Sequence, residues 1–211
     1  MLRKEIYKDQ PNIKEDISSL FLEAFPEDER PPLNIFLKSL KQKEITLLAF
    51  YDEDAFIGFT YLAIYKDICC LYFFAVNKKY RHQGYGGQII EILKKVYKDY
   101  VLMLCYEEVD PKYKNYEERV SRKAFYYKHG FKDNIIKTNE YGVIYETAYI
   151  GSHFVSFVDY FTIFKLVFGP GHEAFVKDAT NYWASTTLLF CTCFFSLALA
   201  MRPTIPPAIP K

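Results

Sequence analysis

Apolar residues along the chain alternate between two periods, and the switches between them outline the fold. Ile17, Leu20, Phe21 and Ala24 recur at helical spacing, predicting a helix over residues 16–25 that opens on Asp16 and is stopped by Pro26. Leu33, Phe36, Leu37 and Leu40 repeat the period beyond a proline-bounded bend, predicting a second helix. Residues 45–51, 55–65 and 68–76 are rich in β-branched and aromatic side chains with short Asp-containing breaks, the pattern of an antiparallel meander. Helical spacing returns at Ile89, Ile90, Leu93 and Val96, within 88–97. A short buried strand at 101–105 and a helix at 119–129 come next. Residues 131–136 and 143–150 would close the sheet around a turn at 139–142, and 156–168 reads as a last amphipathic helix. Gly169-Pro170-Gly171 is expected to end the main domain, residues 1–169, leaving 170–211 as an extension. The fold class is α+β, a mixed and mostly antiparallel central sheet flanked by helices.

Between the strand at 68–76 and the helix at 88–97 lies Arg81-His82-Gln83-Gly84-Tyr85-Gly86-Gly87. A glycine-rich turn feeding a helix leaves the first-turn N–H groups without intrahelical partners and open to close approach, which suits a phosphate. A P-loop would need Gly-Lys-Ser/Thr, and a dinucleotide fingerprint would need a third glycine where Ile89 stands, so neither reading fits. The spacing of Arg81, Gly84 and Gly86 resembles the pyrophosphate loop of the GNAT superfamily of acyl-CoA N-acyltransferases. Residues 122–131, Arg-Lys-Ala-Phe-Tyr-Tyr-Lys-His-Gly-Phe, resemble that family's late helix and its closing signature.

The resemblance implies transfer of an acetyl group from acetyl-CoA to a primary amine by direct attack, with no metal. The main-chain amides of Arg81, His82, Gln83, Gly84, Tyr85, Gly86 and Gly87 would hold the pyrophosphate. The free edge at Phe74, Ala75 and Val76 would pair with the pantetheine arm as another strand would. Tyr126 takes the position that protonates the departing thiolate, with Tyr127 in reserve. Glu107 or Glu108 would draw a proton from the amine; adjacent strand residues face opposite ways, so at most one of them looks into the site. Many family members carry an asparagine seven residues before the catalytic tyrosine; Arg119 stands there, and Asn115 either substitutes or nothing does. Arg119, Arg122 and Lys123 would reach CoA phosphates or form the wet face of a helix. His82 would touch the ligand's outer face and His129 would cap a helix end. The bend at 26–32, with Glu27, Asp28, Glu29 and Arg30, either seats the acceptor or is simply solvated. The rival reading is an acyl-CoA-binding sensor, or a membrane-associated interaction protein, without catalysis.

Composition narrows the partners. The chain has 211 residues, half of them hydrophobic, enough for one sizeable core. A net charge of +1 with interspersed signs offers no basic stripe for nucleic acid. The acceptor is expected to be an amine-bearing small molecule or a protein amino group. Five cysteines form neither a disulfide framework nor zinc-ligand spacing, and the charged start Met1-Leu2-Arg3-Lys4-Glu5 lacks the apolar stretch of a secretory signal, so a cytoplasmic, reducing location is expected. Residues 184–201 carry no charge and would reach roughly 27 Å as a helix, close to the ~30 Å hydrocarbon core. They are read as an apolar helix that anchors the chain in a membrane, docks on the domain or a partner, or has no function.

Overall fold

The computed structural model describes residues 2–7, 11–27 and 30–180. The apolar stretch at 184–201 and the acidic pair Asp28 and Glu29 lie outside them. The order of elements is β1 (Arg3–Ile6), α1 (Pro11–Ala24), α2 (Leu33–Ser39), β2 (Ile45–Asp52), β3 (Ala55–Tyr65), β4 (Ile68–Val76), α3 (Tyr85–Val96), β5 (Val101–Glu107), α4 (Tyr116–Lys128), β6 (Lys132–Glu140), β7 (Val143–Ile150), α5 (Phe157–Phe168) and β8 (Val176–Asp178). The strands form one sheet in the order β1-β2-β3-β4-β5-β7-β6-β8. The mixed, mostly antiparallel sheet flanked by helices is the architecture read from the sequence.

Helices cover both faces. Ile17, Leu20 and Phe21 of α1, Phe36 of α2 and Tyr160, Ile163, Phe164, Val167 and Phe168 of α5 are buried on one face. Ile89, Ile90 and Leu93 of α3 are buried on the other, with Phe125 and Tyr126 of α4 packed against the same cluster. Each such large apolar side chain, removed from water, contributes about 1.5–3 kcal/mol. α1 starts earlier than the apolar spacing indicates because Pro11 takes its first position, where a missing N–H costs nothing. Ser156 caps α5, its hydroxyl accepting from the Asp159 N–H.

Two features of β4 create the site. It pairs in parallel with β5 only from Ile68↔Val101 to Leu71↔Leu104, after which no strand among the described residues lies along its β5 side. On the β3 side the register passes from Leu62↔Leu71 to Tyr61↔Phe73, so Tyr72 is the extra residue of a bulge. The bulge turns both Tyr72 and Phe73 toward the α5 face, and the sheet opens between β4 and β5. The sheet also continues past Gly169: β8 pairs with β6 at Thr138↔Asp178 and Glu140↔Val176. β6 itself runs on to Glu140, which pairs with Val143, because the turn takes only Tyr141 and Gly142, both at positive φ (51° and 94°).

Candidate active site

A cavity of about 1650 Å³ occupies the opening. One end is the turn between β4 and α3. Gly84 stands at φ +84° as the N-cap of α3, a conformation that L side chains resist, and the first helical bond runs from the Gln88 N–H to the Gly84 oxygen at 3.1 Å. The amides of Tyr85, Gly86 and Gly87 therefore precede the hydrogen-bonded ladder, at the positive end of the helix dipole. A Cβ on Gly87 would come within 2.8 Å of the His129 ring, so α4 closes on this turn as tightly as a glycine allows.

Arg81, His82, Gly84, Gly86 and Gly87 line the cavity, whereas Gln83 and Tyr85 do not and instead brace the loop. The Gln83 amide donates to the Lys79 oxygen at 2.9 Å, and the Tyr85 hydroxyl to Asp52 at 2.7 Å. Arg81 Nε donates to the Val76 oxygen at 3.0 Å, tying the loop to the end of β4. His129 is the C-cap of α4 and also lines the cavity, 3.4 Å from Glu91. Phe74, Ala75 and Val76 form the cavity wall along the free edge of β4.

Tyr126 projects into the middle of the cavity from α4, its ring held by Tyr106, Phe125 and Phe131. Its hydroxyl has no hydrogen-bond partner among the described residues, and burial pushes its pKa up to about 12, so the phenol keeps its proton at neutral pH. Tyr127 turns the other way, outside the cavity, and its hydroxyl donates to Asp133.

Glu107 lies on the cavity wall but is fully engaged. Arg119 and Arg122 each reach it at 2.5 Å, and the Asn115 amide donates to it at 3.4 Å. Arg119 is itself buried, accepted by the Asn115 side-chain oxygen and the Glu108 carbonyl, both at 2.8 Å. Glu108 stays outside the cavity, bonded to Lys112 at 3.0 Å and Lys137 at 3.1 Å; burial works to raise its pKa, but these two ammonium groups outweigh that and hold it below the usual carboxylate range. Lys123 pairs with Glu146 at 2.7 Å. Arg119 and Arg122, read as reaching CoA phosphates or forming a wet helix face, both pair with Glu107, because β5 and α4 bring that carboxylate between them. Asn115 lines the cavity and links Glu107 to Arg119. In the bend after α1, Arg30 donates to the Phe25 oxygen at 3.0 Å and lies over the Phe21 ring, while Glu27 is exposed.

The far end of the cavity holds residues that the sequence reading passed over. Phe25, Tyr72, Phe73, Cys105, Glu140, Tyr145 and Tyr160 line it. Glu140 accepts from the hydroxyls of Tyr72 at 2.9 Å, Tyr160 at 2.5 Å and Thr138 at 2.8 Å. The signal for it was the period of two: Ile136, Thr138 and Glu140 share the buried face of β6.

Among curated protein sequences none matches the chain. The sequence profile of the acetyltransferase (GNAT) domain matches residues 43–133, from the start of β2 through the loop and α4 to the start of β6. Among solved structures the chain is similar to a GNAT-family protein from Bacteroides thetaiotaomicron, at 22% identity and TM-score 0.64 over 79% of this chain and 98% of that one. It is also similar to an aminoglycoside 6'-N-acetyltransferase in complex with coenzyme A (17%, TM-score 0.57, 72% and 99%). A third likeness is to the ribosomal-protein-S18-alanine N-acetyltransferase of Escherichia coli (16%, TM-score 0.55, 74% and 100%). The profile match identifies residues 43–133, across the loop and α4, as an acetyltransferase (GNAT) domain, and the sheet that opens between β4 and β5 has the fold of these solved structures.

Proposed function

We propose that the chain is an N-acetyltransferase that takes the acetyl group of acetyl-CoA and passes it to a primary amine by direct attack. The observation that carries this reading is the content of one continuous cavity: the unpaired amides of a helix N-terminus, an unpaired strand edge and a phenol with no hydrogen-bond partner. Acetyl-CoA supplies a thioester, an activated acyl group whose leaving group needs only a proton.

The residues fit that co-substrate. The amides of Gly86 and Gly87 bind the pyrophosphate at the positive end of α3. The β4 edge at Phe74, Ala75 and Val76 holds the pantetheine amides by strand addition and offers an N–H toward the developing oxyanion. Tyr126 donates its proton to the leaving sulfur, a contribution of about 10²- to 10⁴-fold. Glu107 and Glu108 are not bases in this account, because each is already satisfied by two cations; Glu107 ties the buried Arg119 to Arg122 and Asn115, which line the cavity. Two of the similar structures are an aminoglycoside 6'-N-acetyltransferase and a ribosomal-protein-S18-alanine N-acetyltransferase, and an amine acceptor is the chemistry that they share.

Tyr126→Phe separates catalysis from a sensor. A catalyst loses turnover while acetyl-CoA binding, read by calorimetry, stays at the wild-type level; unchanged amine-dependent release of CoA in the variant would refute the assignment.

The buried thiols of Cys69 and Cys70 support a reducing, cytoplasmic setting. No helix among the described residues is long and apolar enough to cross a membrane. Anchorage through residues 184–201 is tested by fractionating the full chain against one ending at residue 180.

A further inference from the structure

Glu140 is the buried carboxylate in this cavity with no cation beside it among the described residues. It is 8% exposed, and no cationic side chain lies within ion-pair distance of it among the described residues. Its three bonds come from uncharged hydroxyls on three different elements: Tyr72 at the β4 bulge, Tyr160 of α5 and Thr138 on its own strand. Those hydroxyls fix the carboxylate's orientation without neutralising it. A buried carboxylate in that state is costly unless a cation arrives, and the cavity is the route by which one can. The surroundings are aromatic or apolar: Phe25, Tyr72, Phe73, Cys105 and Tyr160 line this end, and π-faces favour an ammonium group further.

Building on the acetyltransferase reading, we propose that Glu140 receives the acceptor's ammonium group and takes its proton, and that the acceptor is a monoamine with an apolar aliphatic or aromatic body. At this end one buried carboxylate among aromatic walls complements one positive charge, while the other acids of the lining without an ion pair among the described residues, Glu117 and Glu118, are exposed on α4. The protons balance as follows. The ammonium gives one proton to Glu140, and the free amine attacks the acetyl carbonyl carbon. The C–S bond breaks, Tyr126 gives its proton to the sulfur, and the nitrogen's next proton returns to Tyr126. Glu140 releases its proton to solvent when the amide leaves. The nitrogen thus loses two protons, one ending on CoA and one in water.

The other titratable groups that face Glu140 are the thiols of Cys70 and Cys105 and the phenols of Tyr72, Tyr160 and Tyr141; burial pushes every one of them up, so all stay neutral where Glu140 ionises. Burial raises Glu140 itself above the usual carboxylate range, against the lowering effect of its three hydroxyl donors.

The test uses the full chain, saturating acetyl-CoA, and phenethylamine, hexylamine and spermidine as acceptors. The two monoamines should be acetylated with kcat/KM well above that of spermidine. In Glu140→Gln their kcat/KM should fall about 10²- to 10⁴-fold, the acid limb of the pH profile should disappear, and acetyl-CoA affinity should stay unchanged. Tyr160→Phe should lose less, about tenfold, because it removes an orienting bond and leaves the charge. Spermidine preferred over both monoamines, or no transfer to either monoamine by a chain that binds acetyl-CoA, would overturn the substrate class. A Glu140→Gln protein that binds acetyl-CoA and keeps wild-type kinetics would overturn the role of Glu140. Failure of the wild-type chain to bind acetyl-CoA would instead overturn the acetyltransferase reading on which this proposal rests, and the proposal with it.

Discussion

Glu107 and Glu140 line the same cavity at almost the same depth, 5% and 8% exposed, yet the chain surrounds them with opposite company. Glu107 sits at the end of β5 beneath α4, where Arg119 and Arg122 converge on it. Glu140 sits at the end of β6 beneath α5, where every group that reaches it is a hydroxyl. The first is a closed electrostatic unit whose members hold one another in place. The second is an open one, oriented by its neighbours and balanced by none of them. Burial alone therefore says little about the role of a carboxylate, whereas the charge of its neighbours says much.

The contrast breaks most visibly in stability. Glu107→Ala strands the buried Arg119 guanidinium and should cost about 3–5 kcal/mol, read as a lower Tm in thermal melts. Glu140→Gln should melt at or above the wild-type Tm at neutral pH, since it removes a buried unbalanced charge, the reorientable hydroxyls can still bond the amide, and no cation is left behind. In turnover the order reverses. Tyr126→Phe should lower kcat about 10²- to 10⁴-fold with acetyl-CoA affinity intact, since the hydroxyl removed has no hydrogen-bond partner among the described residues. Gly84→Ala forces a Cβ into a left-handed turn at a cost of about 1–2 kcal/mol. Calorimetry should show weaker acetyl-CoA binding in this variant, an effect absent in Glu140→Gln.

The smallest effect is one of sign. Glu108 is held low by Lys112 and Lys137 against burial, so its stabilising contribution is present above its unfolded pKa near ~4.3 and is lost as pH falls through the folded value. Glu140 is raised by burial, so its contribution is fully present below that unfolded pKa and is lost as pH rises through the folded value. Stability measured against pH should therefore flatten on the acid side in Glu108→Gln and on the rising side in Glu140→Gln.

The loop end of the pocket was legible because its information is local. Glycine spacing placed the turn, the 3.6-residue period placed α3, and the spacing of Tyr126 to Gly130-Phe131 chose between adjacent tyrosines, whose side chains the structure turns to opposite sides. The end around Glu140 depends on contacts that no window of sequence contains. Tyr72 and Tyr160 meet Glu140 only after the β4 bulge, β6 and α5 have packed. The pairing of Glu107 with Arg119 and Arg122 has the same origin: charged residues on α4 read as a wet face until β5 supplies a buried partner. β1 escaped notice because Arg3, Lys4 and Glu5 are charged and its register is set entirely by β2. β8 is a strand of three residues whose pairing on β6 follows a glycine-rich break.

The most direct test is calorimetric titration of the full chain with acetyl-CoA, repeated with Gly84 and Gly86 both changed to valine, followed by addition of phenethylamine and assay of released CoA. The account predicts saturable binding that the double substitution abolishes, and CoA release that depends on the amine. A folded wild-type chain that binds no acetyl-CoA, or binds it and releases no CoA with any amine, would contradict it.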